Sequence, residues 1–253
     1  MPITRDDLLD HCDHVLDAPG CRDYCHNGLQ VEGAAAIETI ATATTASQAM
    51  IDAAVTAGAQ ALLVHHGLIW GSGARRIHGM LHHRLKSLLQ ADCSLFAYHL
   101  PLDAHAEIGN NIVGLQALTA EPVGSFAEHA GIPIGWIGDL AAAEEAGAFA
   151  ARCRSAFSHP VLHCPGHDGP IRRIGIVTGG GQSHLLDAAA AGCDAFVTGE
   201  ASEQTWHEAA ESGCHAFICG HHATECLAIH AWGSELARRF DLRHVRLDEA
   251  NPI

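Results

Sequence analysis

The side chains best suited to chemistry in this sequence are histidines that follow short apolar runs. The chain has 253 residues, and 21 of them are histidine. Three apolar runs end in potential metal ligands: ALLVHHG at 61–67, LFAYHLPLD at 95–103 and AFICGHHATE at 216–225. Imidazole and carboxylate groups are the usual protein ligands of zinc, manganese, iron and nickel. The pattern therefore predicts one metal site assembled from three strand ends that are far apart in the chain.

The spacing of these residues narrows the choice of ligands. His99 and Asp103 are four residues apart, which places them on one face if the segment turns helical. His221 and Glu225 have the same spacing. His222 competes with His221, and the distance to Glu225 favours His221.

The neighbouring His65 and His66 cannot face the same way on a regular strand, because side chains alternate there. We expect them either to bind two different ions or to diverge where the chain turns at Gly67. With the carboxylates, they provide enough ligands for a two-metal site, in which ions ~3.5–4 Å apart generate a hydroxide and stabilise transition-state charge.

Further polar residues are candidates for roles beside the metals. His99, Glu200 and His207 could transfer protons. The alternative is that Glu200 and His207 only cap a helix or face the solvent. The glycine-rich turn TGGGQS at 178–183 could bind a phosphate or carboxylate through backbone N–H groups of Gly179, Gly180 and Gly181. Its alternative role is a tight turn that needs positive φ.

An internal repeat positions these residues. IATATTASQAMIDAAVTAGAQALLVHH, from Ile40, resembles IGIVTGGGQSHLLDAAAAGCDAFVTGE, from Ile174. DCSLFAYH from Asp92 similarly resembles GCHAFICG from Gly213. Nearly all-apolar short runs are typical of strands covered on both faces. Each half is therefore predicted to run strand, helix, strand, helix, strand, in an α/β fold with a mostly parallel sheet.

The predicted segments are a first α/β half at 1–118, a small α+β middle segment at 119–169 and a second α/β half at 170–253. The middle segment is interpreted either as a module between the halves or as an extension of the second half. In the middle segment we expect a helix over 139–157, flanked by strands at 134–138 and 158–164. The tail is predicted to form an amphipathic helix over 227–240 and a final strand within 243–249.

Composition excludes several classes of function. The net charge of -15 disfavours direct nucleic-acid binding, which needs basic side chains. No stretch approaches the ~20 apolar residues of a membrane span, and no signal-peptide core is visible, so we expect a cytoplasmic protein. The ten cysteines are interpreted as reduced thiols. A soft-metal site at Cys21 and Cys25 is a less favoured alternative.

Together these motifs resemble the NIF-three-like (NGG-one-interacting factor three) family of dinuclear-metal proteins, often labelled GTP cyclohydrolase I type 2 homologues. The resemblance covers nearly the whole chain. It is carried by HNGLQVEG at 26–33, LLVHHGLIWG at 62–71, YHLPLDAHAEIGNN at 98–111, TGGGQS at 178–183, VTGEASEQTWHEA at 197–209 and GHHATE at 220–225.

The resemblance implies five metal ligands, with Glu225 bridging two divalent ions. These ligands are His65, His66, Asp103, His221 and Glu225. It places His99 near the metals, as an auxiliary ligand or a supporting group. It also implies a toroidal homohexamer whose sites face an inner cavity.

The leading hypothesis is a divalent-metal-dependent hydrolase, GTP cyclohydrolase-like, that acts on a small anionic substrate. The ions could be zinc, manganese, iron, cobalt or nickel. The alternative is a non-catalytic, metal-binding hexameric scaffold or regulatory protein.

Overall fold

The computed structural model describes residues 2–72 and 76–253. Within these ranges the strands, in chain order, are β1 (Ile3–Thr4), β2 (Gly28–Val31), β3 (Ala36–Ile37), β4 (Thr39–Thr45), β5 (Ala61–His66), β6 (Ser94–Ala97), β7 (Ala120–His129), β8 (Ile132–Glu144), β9 (Leu162–Cys164), β10 (Ile171–Val177), β11 (Ala195–Thr198), β12 (His215–Ile218) and β13 (Arg243–Arg246). The α-helices are α1 (Arg5–Leu16), α2 (Gln48–Thr56), α3 (Gly79–Gln90), α4 (Leu100–Ala104), α5 (Asn110–Ala117), α6 (Ala146–Phe157), α7 (Leu185–Ala190), α8 (Thr205–Ser212) and α9 (His221–Phe240).

The chain forms two compact units. Unit 1 extends from the amino terminus to Leu102 and includes Ala228–Ala250, and unit 2 comprises Asp103–Leu227 and Asn251–Ile253.

The sheet of unit 1 has the strand order β13-β4-β5-β6-β2. β13, β4, β5 and β6 pair in parallel, and β2 is antiparallel to β6. The central strands are apolar along their length because both faces are covered: Leu62, Leu63 and Phe96 are fully buried. The helix that follows β4, α2, is capped at its amino end by Ser47, whose side chain accepts a hydrogen bond from the N–H of Met50.

Unit 2 has a six-stranded sheet with the order β7-β8-β10-β11-β12-β9. β10, β11 and β12 are parallel, as predicted from the repeat, whereas β7, β8 and β9 join by antiparallel pairing. Phe149 of α6 packs edge-on against Phe217 of β12, with ring centroids 4.9 Å apart. The α/β class is confirmed; the sheet of unit 1 is mostly parallel, and that of unit 2 is mixed.

The middle of the chain joins unit 2, and it differs from the prediction in the length of its helix. The strands of 119–169 join the sheet of unit 2, as expected for an extension of the second half. The predicted helix over 139–157 is too long, since Asp139–Glu144 belong to β8 and α6 begins at Ala146. β8 pairs with both β7 and β10, and this pairing overrides the helical preference of its alanines.

The predicted tail elements are both present. α9 includes 227–240, and β13 adds a parallel strand beside β4. Among the described residues, none of the helices combines the length and the apolar character that crossing a membrane requires.

Candidate metal-binding residues

Three histidines of unit 1 come together at the carboxyl ends of two neighbouring parallel strands. His65 and His66 end β5, and His99 follows β6. One ligand atom from each lies within 4.8 Å of the others. The rings of His65 and His66 are 4.6 Å apart, and those of His65 and His99 are 5.0 Å apart. Ligand sites at this edge are usual for α/β sheets.

Each of these histidines has its Nδ1 atom engaged with an oxygen. His65 Nδ1 donates to the carbonyl of Tyr98 at 3.0 Å, and His66 Nδ1 lies 3.0 Å from the hydroxyl of Thr45. His99 Nδ1 donates to the carboxylate of Asp23 at 3.1 Å. Such contacts fix the orientation of a metal-binding imidazole and leave Nε2 as the ligand atom.

Asp23 supports the candidate ligand His99, and the sequence did not reveal this contact. Its carboxylate also accepts hydrogen bonds from the N–H of Cys25 at 3.0 Å, the N–H of Leu100 at 2.9 Å and the side chain of Asn27 at 3.0 Å. Burial alone would raise the pKa of Asp23, but the hydrogen bonds from His99 and Cys25 hold that pKa well below its usual range. The residue lies in a loop, where no spacing connects it to His99.

Two aromatic rings border His99. The Tyr24 ring lies 5.1 Å from the His99 ring, and the Trp70 ring lies 5.0 Å from it, both in edge-on arrangements. The predicted alternative of a soft-metal site at Cys21 and Cys25 gains no support. Burial, reinforced by the negative charge of Asp23, raises the pKa of Cys25 to about 12, which disfavours the thiolate that binds metal.

In unit 2, His221 lies between two carboxylates. It begins α9, and Glu225 follows one turn later. His221 Nδ1 lies 2.6 Å from Glu200 Oε1, and Nε2 lies 3.1 Å from Glu225 Oε2. The hydrogen bond with Glu225 is the main cause that raises the pKa of His221 to about 9; burial opposes the rise and Glu200 adds to it. The two carboxylates thus stabilise a proton on His221, and the same negative charge would favour a metal cation at this position.

The glycine-rich turn makes room for Glu225. Gly179 has a φ of +61°, and a Cβ built there would overlap Glu225 Oε1. The N–H of Gly179 donates to Thr224 Oγ1 at 3.0 Å, so this N–H is not directed at an external anion. The anion-binding role predicted for Gly179 therefore gains no support from the geometry, since the turn at this residue accommodates a carboxylate; the role of Gly180 and Gly181 stays a prediction.

Asp103 is 8% exposed and is held by two asparagines of α5. Asn110 Nδ2 donates to Asp103 Oδ1 at 2.8 Å, and Asn111 Nδ2 donates to the Asp103 carbonyl at 3.1 Å. The Oδ1 atom of Asn111 accepts from the N–H of Thr178 at 2.8 Å, which ties the helix to the end of β10. Both asparagines belong to the motif at 98–111, but their spacing alone predicted no role for them.

The described residues thus contain histidine and carboxylate groups placed to hold a metal ion. The residues that provide these side chains are His65, His66, His99, Asp103, His221 and Glu225. His221 rather than His222 is one of them; the His222 N–H donates to the carbonyl of Ile253 at 2.9 Å. Imidazole nitrogens with buried carboxylate oxygens fit a divalent transition metal.

The remaining proposed proton-transfer residues differ in their placement. Glu200 contacts His221 directly, and 39% of its side chain is exposed. His207 lies exposed on α8, where its ring pairs with Glu203 at 3.5 Å. This surface position gives the predicted role of His207 no support.

The fold and these residues define a mixed α/β protein with His, Asp and Glu groups suited to divalent metal. A family model for Duf34/NIF3 (NGG1p interacting factor 3) matches residues 3–252, and the chain belongs to this family.

Named relatives and solved structures agree with this assignment. The chain is 44% identical over 253 residues to the GTP cyclohydrolase 1 type 2 homolog of Pseudomonas aeruginosa, with 100% of each chain covered. It is 43% identical over 239 residues to the protein of the same name from Escherichia coli strain K12, which covers 94% of each. Among solved structures, TTHA1606 from Thermus thermophilus is 32% identical with a TM-score of 0.88, covering 99% of this chain and 100% of that one. The protein ybgI, of unknown function, is 39% identical with a TM-score of 0.94 and the same coverage.

Proposed function

We propose that the protein is a divalent-metal-dependent hydrolase with a dinuclear centre held by His65, His66, Asp103, His221 and Glu225. The observation that carries the proposal is the oxygen contact at the Nδ1 atom of His65, His66 and His221, at 3.0, 3.0 and 2.6 Å. Structural histidines have no general need for such consistent orientation, whereas metal-binding ones do. Zinc, manganese, iron, cobalt and nickel all suit these donors.

When bound, divalent ions supply Lewis-acid polarisation of a substrate and lower the pKa of water. The protein residues provide binding, orientation and proton transfer. Asp23 orients His99, which we propose as an auxiliary ligand or supporting group. Glu200 is the favoured proton acceptor because its carboxylate reaches His221 through Oε1 and remains partly exposed.

A small anionic molecule is the proposed substrate, and the name of the relatives makes GTP the first to test. Unit 2 has an open pocket of about 620 Å³ lined by Glu200, Val161 and Ile218, among others. That volume lies in the range of small-molecule sites. Its lining combines the Glu200 carboxylate and the His159 ring with apolar side chains, which suits an organic substrate that carries a hydrogen-bond donor.

Turnover of GTP by metal-loaded protein tests the enzymatic proposal. We expect hydrolysis that a chelator abolishes and that added metal restores. Glu200→Gln, assayed after its metal content has been restored to the wild-type level, should lose most turnover, whereas Glu211→Gln, at an exposed position of α8, should behave as wild type. Metal-loaded wild-type protein that turns over neither GTP nor other nucleotides would contradict the proposal.

We also propose a homohexamer that acts in the cytoplasm. The hexamer rests on the family resemblance. The location rests on the interpretation of the cysteines as reduced thiols, which the burial of eight of them, among them Cys12, Cys93 and Cys219, supports. Native mass spectrometry tests the assembly: six chains per particle are expected, and a monomer at micromolar concentration would contradict it.

A further inference from the structure

Two aromatic side chains at the edge of the histidine group of unit 1 are placed unlike the aromatic residues of its core. Tyr24 is 56% exposed, and Trp70 is half-buried. Within the same unit, Tyr98 and Trp232 form an edge-on pair and are 0% and 1% exposed. Packing in the core explains the placement of Tyr98 and Trp232. It does not explain Tyr24, because an exposed aromatic ring buries little surface.

Tyr24 and Trp70 are held in position by contacts that involve the backbone. The N–H of Gly71 donates to the Tyr24 carbonyl at 2.6 Å, and an isolated antiparallel bridge joins Cys25 to Trp70. Trp70 Nε1 donates to the carbonyl of Gly67 at 2.8 Å, which fixes the direction of its ring. Side chains that are ordered before binding lose less entropy when a ligand arrives.

The rings also lie beside the candidate ligands. Tyr24 and Trp70 are 5.7 Å apart and tilted by 32°, so they form one surface rather than a stacked pair. Both contact His99 edge-on, and Trp70 lies 6.2 Å from the ring of His66. A molecule that approaches the Nε2 atoms of these histidines therefore has an aromatic surface next to it.

We propose that Tyr24 and Trp70 bind a planar, aromatic or heterocyclic part of the substrate by stacking. This inference rests on the proposed function, which it deepens by naming the substrate class. Aromatic side chains stack on any base because every base has a π-face, and the interaction grows with ring area. The substrate class is thus a heterocycle that carries an anionic group, and sugar phosphates without a base are excluded from it.

Calorimetric titration of the metal-loaded, full-length protein tests the proposal with three probes. GMP, UMP and ribose 5-phosphate share the sugar and phosphate and differ in the size or presence of the base. We expect affinity to fall in that order. Tyr24→Leu should weaken GMP binding about 5- to 100-fold, while Tyr24→Phe should keep it within about 3-fold. Trp206→Leu, at a position that is 52% exposed in unit 2, is the matched control and should leave GMP binding unchanged.

Three results would overturn the proposal: equal affinity of wild type for GMP and ribose 5-phosphate, unchanged GMP binding in Tyr24→Leu, or equal losses in Tyr24→Leu and Trp206→Leu. Metal content is measured for every variant. If Tyr24→Leu loses metal, the dependence on base size in wild type decides. Failure of the proposed function is separate, since it appears as absent turnover while GMP binding still depends on Tyr24.

Discussion

A Cβ at residue 179 would occupy the position of Glu225 Oε1. The glycine is therefore a condition for the placement of a candidate metal ligand 46 residues later in the chain, and its positive φ of +61° reinforces the restriction.

Replacement of this glycine should cost metal as well as stability. In Gly179→Ala the methyl group must displace Glu225, so metal content should fall severalfold. Gly192→Ala is the matched control, because Gly192 also has a positive φ, +78°, but has open space around it. Both variants should lose about 1–2 kcal/mol of unfolding free energy from backbone strain, measured by urea denaturation. Full metal content in Gly179→Ala would show that Glu225 does not bind the ion.

Asp23 should matter through His99. In Asp23→Asn the negative charge that orients the imidazole is lost, and metal affinity should fall about 10- to 100-fold. The measurement is competition with a chromophoric chelator, with the thermal unfolding midpoint recorded beside it. Asp10→Asn, at an exposed position of α1, should retain wild-type affinity. An unchanged affinity in Asp23→Asn would remove His99 from the metal site.

Metal uptake should release protons near neutral pH. The hydrogen bond with Glu225 is the first cause of the raised pKa of His221, about 9, so this imidazole is protonated at pH 7 when no metal is bound. A metal ion must displace that proton, and affinity should rise between pH 7 and pH 9. Calorimetry in buffers of different ionisation enthalpy counts the protons. Uptake of metal with no proton released would contradict the role of His221 as a ligand.

His215 should make unit 2 sensitive to acid. It is 2% exposed, and its Nδ1 accepts a hydrogen bond from the N–H of Gly166 at 3.1 Å. Burial, then the neighbouring His167 and His163, lowers its pKa from 6.5 to about 4. Between these values the unfolded chain takes up a proton that the folded protein does not, so stability is complete above about pH 6.5 and falls as the pH drops towards 4.

Chemical denaturation at a series of pH values measures this effect. His215→Asn, whose Oδ1 can still accept from Gly166, should show a flatter profile between pH 6.5 and 4 than wild type. His207→Asn removes an exposed histidine and should leave the profile unchanged. Parallel profiles for wild type and His215→Asn would contradict the assignment.

The sequence predicted the central strands well because strands buried on both faces carry a direct signal. The runs at Leu62, Phe96, Phe196 and Phe217 are nearly all apolar, and each lies in a parallel strand. The segment Asp139–Glu144 was predicted as helix, since alanine favours helices locally and pairing with β7 and β10 is not visible in the sequence.

The residues of the candidate site also differ in whether the sequence alone could predict them. Candidate ligands at the ends of apolar strands or just after them, such as His65 and His221, could be predicted from the local pattern. Asp23 could not, because its contact with His99 joins residues 76 positions apart in loops. The role of His207 stays a prediction, and its motif says nothing about which side of α8 its ring occupies. Gly179 was found as a turn, but its close approach to Glu225 depends on the tertiary fold.

Elemental analysis of the purified protein tests the central claim most directly. Wild type should contain close to two divalent ions per chain when it is prepared without chelator, and Glu225→Gln should lose most of this metal while remaining folded. Glu211→Gln should match wild type. Well-folded wild-type protein without metal after incubation with zinc or manganese, or Glu225→Gln with an unchanged content, would contradict the dinuclear centre.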